Sequence, residues 1–277
     1  MPHPSDRPRR PELIESPANP RIQAALGLRT RRDRDRTGLT LVDGAREARR
    51  ALEAGVALDQ AFVCPELATS EDARAALERL RRHHADRLAE ISPRANARLA
   101  YGDRSDGLVL VVRPRRVELS DVKLRPDPLV VITEDVEKPG NLGAILRSAD
   151  AVGVDAVVAI GGTDLFNPNV IRASVGTVFG VPLAAASGPA AIDWVNDHGL
   201  RLVAARVDAP TLHVEADLRG PVALVLGSEA TGLSTTWRGP AVESVRLPME
   251  GVADSLNVSV AAGVLLYEAW RQRRDSA

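Results

Sequence analysis

The sequence predicts a two-unit α/β protein whose C-terminal half is built on a mostly parallel sheet. Three observations carry this expectation. Strand-like runs alternate with helix-like runs along nearly the whole chain, the pattern of strands joined by crossover helices. In the C-terminal half the strand runs PLVVI, AVVAI and VALVLG are continuously apolar, as strands buried on both faces must be. The charge is also divided: residues 1–125 hold 24 Arg and one Lys against 19 acids, a net of +6, whereas residues 126–277 hold 11 basic residues against 18 acids, a net of −7. The whole-chain value of −1 thus averages a basic object with an acidic one, and it does not exclude a polyanionic partner.

Composition sets further bounds. At 277 residues, with 44% hydrophobic and 26% charged, the chain has the make-up of a globular protein with room for two cores. No run approaches the ~18 apolar residues that a membrane-spanning helix needs, so no membrane partner is expected. The N-terminus lacks the apolar core of a secretory leader. The single cysteine, Cys64, has no internal partner for a disulfide, and five histidines without ligand spacing point to no metal. A cytoplasmic setting is the expectation.

Along the first half, residues 1–12 combine Pro, Arg and polar residues without apolar period and read as a disordered basic tail, followed by a domain over 13–113. The segment 19–36 sets Arg21, Arg29, Arg31, Arg32, Arg34 and Arg36 around a short apolar helix with Ile22, Leu26 and Leu28. It reads either as a solvated charged turn or as a phosphate-contacting surface, with Arg21, Arg29, Arg31 and Arg32 as the candidates. A strand over 39–42, a helix over 43–54 stopped by Gly55, and a strand over 61–64 follow. A helix over 70–82 is capped by Ser70, and a last strand spans 108–112. Residues 114–128, with Pro114, Pro126 and Pro128, are the expected linker to a second domain over 129–277.

In the second half the expected elements are strands over 129–133, 156–160, near 183, over 202–207, 222–226 and 242–247. The helices are expected over 141–152, 168–178, 189–198 and 255–273. Ligands of parallel sheets bind beyond the carboxyl ends of the strands, which directs attention to the loops after Thr133, Ile160, Leu226 and Leu247.

Three of those loops hold the chemistry-bearing residues. In the first, Asn141 stands at a plausible helix N-cap, and Gly143 sits one turn before Arg147, leaving that face open to a ligand or a second chain. Arg147 is isolated on an apolar helix, and pairing with Asp150 is its plain alternative. The second loop, GSEATGLS over 227–234, permits close backbone approach through Gly227 and Gly232. It is neither a Walker loop, a dinucleotide fingerprint nor a nucleophile elbow. The third runs from Leu247 through Pro248 and Gly251 to Ser255 and Asn257 at a helix mouth, where free N–H groups meet polar ligands. Two polar residues there exceed what one cap requires.

In this order and spacing, NLGAILR (141–147), GSEATGLS (227–234) and LPMEGVADSLNVSVAAGVLLYEA (247–269) resemble the three motifs of the SpoU/TrmH family of RNA ribose 2′-O-methyltransferases. The segment NPNVIRASVGTVFGVP (167–182) resembles the branch that includes the avilamycin- and thiostrepton-resistance enzymes. The first half is similar in pattern to that family's L7Ae-like substrate-binding domain. Ala230 is a departure, because many members carry glycine after the glutamate. The resemblance implies a SPOUT-type α/β domain with a trefoil knot, S-adenosyl-L-methionine as cofactor, and a homodimer acting on RNA, with 23S ribosomal RNA preferred over transfer RNA. A non-catalytic RNA-binding assembly factor is the alternative from another class. By motif, Gly227, Leu247 and Leu256 would contact the cofactor and Arg147 the ribose hydroxyl. Asn141, Glu229, Ser255 and Asn257 would build the catalytic site, and Arg172 would meet substrate phosphate.

Overall fold

The computed structural model describes residues 12–100 and 106–274. The expected tail over 1–12 lies outside the described residues except for Glu12. The contacts divide the chain after Pro114 into two compact units.

The first unit carries β1 (Glu12–Ile14), α1 (Pro20–Gly27), α2 (Arg31–Thr37), β2 (Thr40–Asp43), α3 (Ala45–Glu53) and β3 (Ala57–Val63). α4 (Glu71–His83), β4 (Leu88–Ile91), α5 (Pro93–Leu99) and β5 (Leu108–Arg113) complete it. The sheet order is β1-β4-β3-β5-β2, with β1, β4 and β3 parallel and β5 antiparallel to both β3 and β2. One face buries Leu41, Phe62, Val109 and Val111 against Ile22 and Ala25 of α1 and Ala95 and Leu99 of α5. β4 and α5 escape sequence reading, although Ser92 and Pro93 form a legible helix start.

The segment 19–36, expected to hold one short apolar helix, carries two, α1 and α2, separated at residues 28–30, and a buried arginine ties that separation. Arg34 is buried, and its Nη1 donates to the carbonyls of Leu28 at 2.8 Å and Arg29 at 2.9 Å. Those carbonyls are orphaned at the end of α1, and the guanidinium supplies donors in their place.

The second unit carries β6 (Leu129–Glu134), α6 (Pro139–Val152), β7 (Ala156–Ile160), α7 (Pro168–Ala173), β8 (Leu183–Ala186) and α8 (Gly188–Asp197). β9 (Arg201–Ala205), β10 (Thr211–Leu212), β11 (Val222–Leu226), β12 (Val242–Arg246) and α9 (Val258–Arg274) follow. The sheet order is β10-β12-β9-β11-β6-β7-β8, and every pairing is parallel. The central strands β6, β7 and β11 are buried along their whole length, which is why their sequences do not alternate. Val122, from the segment that precedes β6, lies in this unit's core.

Two polar anchors frame the sheet. The Asp155 carboxylate accepts from Leu129 N and from the backbone and side chain of Arg125. Burial alone would raise its pKa, and these hydrogen bonds outweigh burial and hold it below the usual carboxylate value. At the other end of the chain, the Arg273 guanidinium donates to the carbonyls of Leu218, Asp127, Pro128 and Gly220, fixing the last turn of α9.

Three boundaries differ from expectation in ways that matter below. α6 starts at Pro139 with Lys138 as its N-cap residue, two residues before Asn141. The helix expected over 168–178 ends at Ala173, because Val175 and Gly176 both take positive φ, 48° and 82°, before a short 3₁₀ turn over Thr177–Phe179. α9 begins at Val258 rather than at Ser255.

Candidate functional site

A cleft of about 660 Å³ opens at the carboxyl ends of β9, β11 and β12 and is closed on one side by the first turns of α9. Gly227, Leu247, Ser255 and Leu256 line it, as do Glu229 and the segment 206–208 that follows β9. Strand ends in a parallel sheet present unpaired backbone groups together with loop side chains, and this explains the position of the cleft. Gly227 is forced by packing: a Cβ there would lie 2.4 Å from the carbonyl carbon of Gly232, because the 227–234 loop closes on itself. Ser228 and Gly232 bridge that closure, with Gly232 N donating to Ser228 O at 2.9 Å.

Beside the cleft, one residue from each of the three loops meets the others. Asn257 Nδ2 donates to Asn141 Oδ1 at 3.2 Å and to Glu229 Oε1. Its Oδ1 meanwhile accepts from Ser259 N at 2.9 Å and Ser259 Oγ at 2.6 Å. Asn257 therefore caps α9 with one half of its amide and joins the cluster with the other. Asn141 is in the first turn of α6 and caps nothing, so its side chain is committed to this cluster.

Lys138 completes the group. Its Nζ lies 3.0 Å from Glu229 Oε2. The Lys138 ammonium is the chief reason the Glu229 carboxyl sits below its ordinary value, with Asn141 and the Val258 N–H adding to the effect against burial. A second hollow of about 310 Å³, bounded by Val136, Lys138, Asn141, Glu229 and Val258, adjoins the first.

Arg147 projects from α6 six residues beyond Asn141, about 9 Å along the helix at 1.5 Å per residue. It is exposed, and among the described residues it makes no hydrogen bond or ion pair; the pairing with Asp150 does not form. The open face expected around Gly143 is absent. Gly143 is buried, and a Cβ there would lie 2.5 Å from Ala173 Cβ, 2.8 Å from Ser174 N and 2.9 Å from Val170 O. The glycine serves the close approach of α6 and α7 within this chain.

The arginines expected to meet phosphate divide. Arg21 donates through Nε and Nη2 to Gln60 Oε1 at 3.2 and 2.5 Å. Arg29 Nη2 donates to the carbonyls of Arg98, Leu99 and Ala100, where it closes the end of α5. Both are held inside their unit, because carbonyl and amide acceptors lie within reach. Arg31 is exposed and loosely paired with Asp35 at 3.6 Å, and Arg32 is exposed. Arg172 is half-buried on α7 and already engaged within the chain.

Sequence reasoning missed three residues here: Lys138, Glu134 and Arg206. Glu134 closes β6 and accepts from Ser234 in the cleft loop. Arg206 Nε donates to Asp208 Oδ1 at 3.2 Å, and Nη1 donates to Leu233 O at 3.3 Å. A signal existed for each, since all three end or follow an apolar strand on the ligand side of the sheet.

Residues 128–267 match the SpoU rRNA Methylase family, and residues 19–109 match the MRM3-like substrate binding domain. The 23S rRNA (uridine(2479)-2′-O)-methyltransferase of Streptomyces viridochromogenes is 32% identical over 264 residues, covering 91% of this chain and 88% of that protein. Among solved structures, an RNA 2′-O ribose methyltransferase superposes with a TM-score of 0.83 at 44% identity, over 94% of this chain and 98% of the other. The SpoU methyltransferase AviRb from Streptomyces viridochromogenes, in complex with the cofactor AdoMet, superposes with a TM-score of 0.82 at 31% identity, over 94% of this chain and 99% of that one.

Proposed function

The chain belongs to the SpoU rRNA methylase family, and from that premise we propose that it is an S-adenosyl-L-methionine-dependent methyltransferase that methylates a ribose 2′-hydroxyl in RNA, with 23S ribosomal RNA as the substrate. The observation that carries the reading is the meeting of Asn141, Glu229 and Asn257, one from each loop, at the rim of a cleft of cofactor size. The cleft suits the cofactor on its own terms. Gly227 leaves backbone where a Cβ would collide, and of the acids in the lining Asp208 is paired with Arg206 and Arg238 and Glu229 with Lys138, which leaves Asp254 to face a cationic ligand. Gly227, Leu247 and Leu256 would hold it. When bound, it supplies an electrophilic methyl group on a sulfonium sulfur.

The chain's own residues would orient the ribose and stabilise charge. A 2′-hydroxyl is a poor nucleophile, and a guanidinium stays protonated above pH ~12, so Arg147 is suited to stabilise the developing alkoxide and not to remove its proton. The Asn141–Glu229–Asn257 cluster would fix the first turn of α6, the helix that carries Arg147, with Ser255 at the cleft mouth. Residues 13–113 would grip RNA through exposed arginines, chiefly Arg31 and Arg32, with 114–128 as linker and 129–277 as the catalytic domain. Arg172 would add a phosphate contact.

The same reading includes a homodimer in the cytoplasm. Val260, Val264, Tyr267 and Trp270 lie one turn apart on α9 and are 51, 39, 52 and 38% exposed. Such a stripe on a long helix suits a second copy of the chain, and sedimentation at micromolar concentration tests it. The decisive experiment maps ribose methylation by mass spectrometry after incubating the protein with S-adenosylmethionine and either 23S rRNA or transfer RNA. Methyl on a 2′-oxygen of 23S rRNA is the expected result. Methyl on a base would overturn the reaction, exclusive methylation of transfer RNA would overturn the substrate, and no transfer would leave an RNA-binding protein.

A further inference from the structure

Glu134 is a buried acid that the reaction described above does not use. It ends β6 in the middle of the sheet, opposite Ile160 of β7, and is 7% exposed. Among the described residues no cation pairs with it. Burying a carboxylate without a cation is costly, so a neutral side chain would serve packing better. Its two oxygens are both committed to one distant residue. Oε2 accepts from Ser234 N at 2.7 Å, and Oε1 accepts from Ser234 Oγ at 2.8 Å.

Only a carboxylate offers two acceptor oxygens side by side to an N–H and an O–H of the same residue. Charge-assisted bonds of this kind are the short, strong ones. Ser234 follows Leu233, which lines the cleft and whose carbonyl accepts from Arg206. The loop that begins at Gly227 is therefore held at its far end from both sides, and its near end is closed by the Gly227–Gly232 contact.

We propose that Glu134 is a positioning residue for the cofactor: through Ser234 it fixes the 227–234 loop in the shape that receives S-adenosylmethionine. This rests on the cofactor reading given above. Without the tether the loop is free to shift from the cleft wall, and the cofactor must then order it on binding, which lowers affinity.

The test is a double-mutant cycle on S-adenosylmethionine binding, measured by calorimetry on the full-length protein without RNA. Glu134→Gln keeps the volume and loses one acceptor; Ser234→Ala removes the hydroxyl. Each should weaken binding about 5- to 20-fold, and the double variant should be no weaker than the worse single one. Multiplying effects would show that Glu134 does not act through the Ser234 hydroxyl, and joined with unchanged exchange at the Ser234 amide they would overturn the proposal. So would a Glu134→Gln protein with lowered Tm and unchanged affinity, the signature of a purely structural role. In the cofactor-free protein, hydrogen exchange at the Ser234 amide should accelerate in Glu134→Gln, and unchanged exchange there also counts against the tether. A wild-type protein that binds no S-adenosylmethionine, yet shows that acceleration, would overturn the functional reading while leaving the tether standing.

Discussion

The two units use arginine in opposite ways. In the first, the densest arginine segment of the chain is partly consumed by its own backbone: Arg34 feeds two carbonyls at the end of α1, and Arg29 feeds three at the end of α5. In the second, Arg147 stands exposed on a helix whose buried face is apolar, and no hydrogen bond or ion pair holds it among the described residues. Charge counted along a sequence is therefore not charge offered to a partner. The +6 of residues 1–125 overstates the positive charge offered to a partner, and the exposed guanidinium of Arg147 in the acidic half is the better candidate for chemistry.

The contrast can be broken in four places. Arg147→Lys keeps the charge and loses the planar fork, so turnover should drop by at least about 100-fold while S-adenosylmethionine affinity stays within twofold; near-normal turnover would remove Arg147 from the catalytic role. Arg34→Ala should do the converse. It leaves one buried and one part-buried carbonyl without that donor, lowering the stability of the first unit by about 2–3 kcal/mol, seen as an earlier thermal transition with cofactor binding intact. Lys138→Met should cost about tenfold in turnover with little change in Tm, because Glu229 loses its partner cation. Lys138→Arg should restore most of that activity, and failure to do so would argue that the ammonium is incidental. The mildest change pairs Arg31→Gln with Arg32→Gln. RNA affinity should fall about three- to tenfold and the salt dependence should flatten by up to two contacts, whereas Arg29→Gln should leave that slope unchanged.

Much of this was legible before any coordinates. The parallel sheet followed from unbroken apolar runs, and the loops that matter followed from the rule that ligands lie beyond carboxyl strand ends. What sequence could not show is which groups lie near each other across long separations. Glu134 and Ser234 are 100 residues apart, and Lys138 and Glu229 are 91 apart; no local pattern joins them. Gly143 illustrates a different limit. Its lack of a side chain was plain, but whether the space belonged to a ligand or to α7 depended on how the chain turns at Val175 and Gly176, where a β-branched residue with positive φ defeats helical reading. Arginine fates were hidden for a third reason, because their acceptors are backbone carbonyls, which every residue possesses.

Arg273 has a consequence for the order of assembly. Two of its acceptors, Asp127 and Pro128, precede β6, and the other two, Leu218 and Gly220, precede β11. Those four carbonyls come together only once β6 and β11 have paired, strands more than 90 residues apart in the chain. The guanidinium thus acts as a coincidence detector for that long-range pairing. Arg273 follows both strands in the chain, so docking of the last turn of α9 is a closing event that comes after their pairing. Truncations that remove the final turn of α9 should yield a sheet that forms but is not latched, prone to slow release of its last helix.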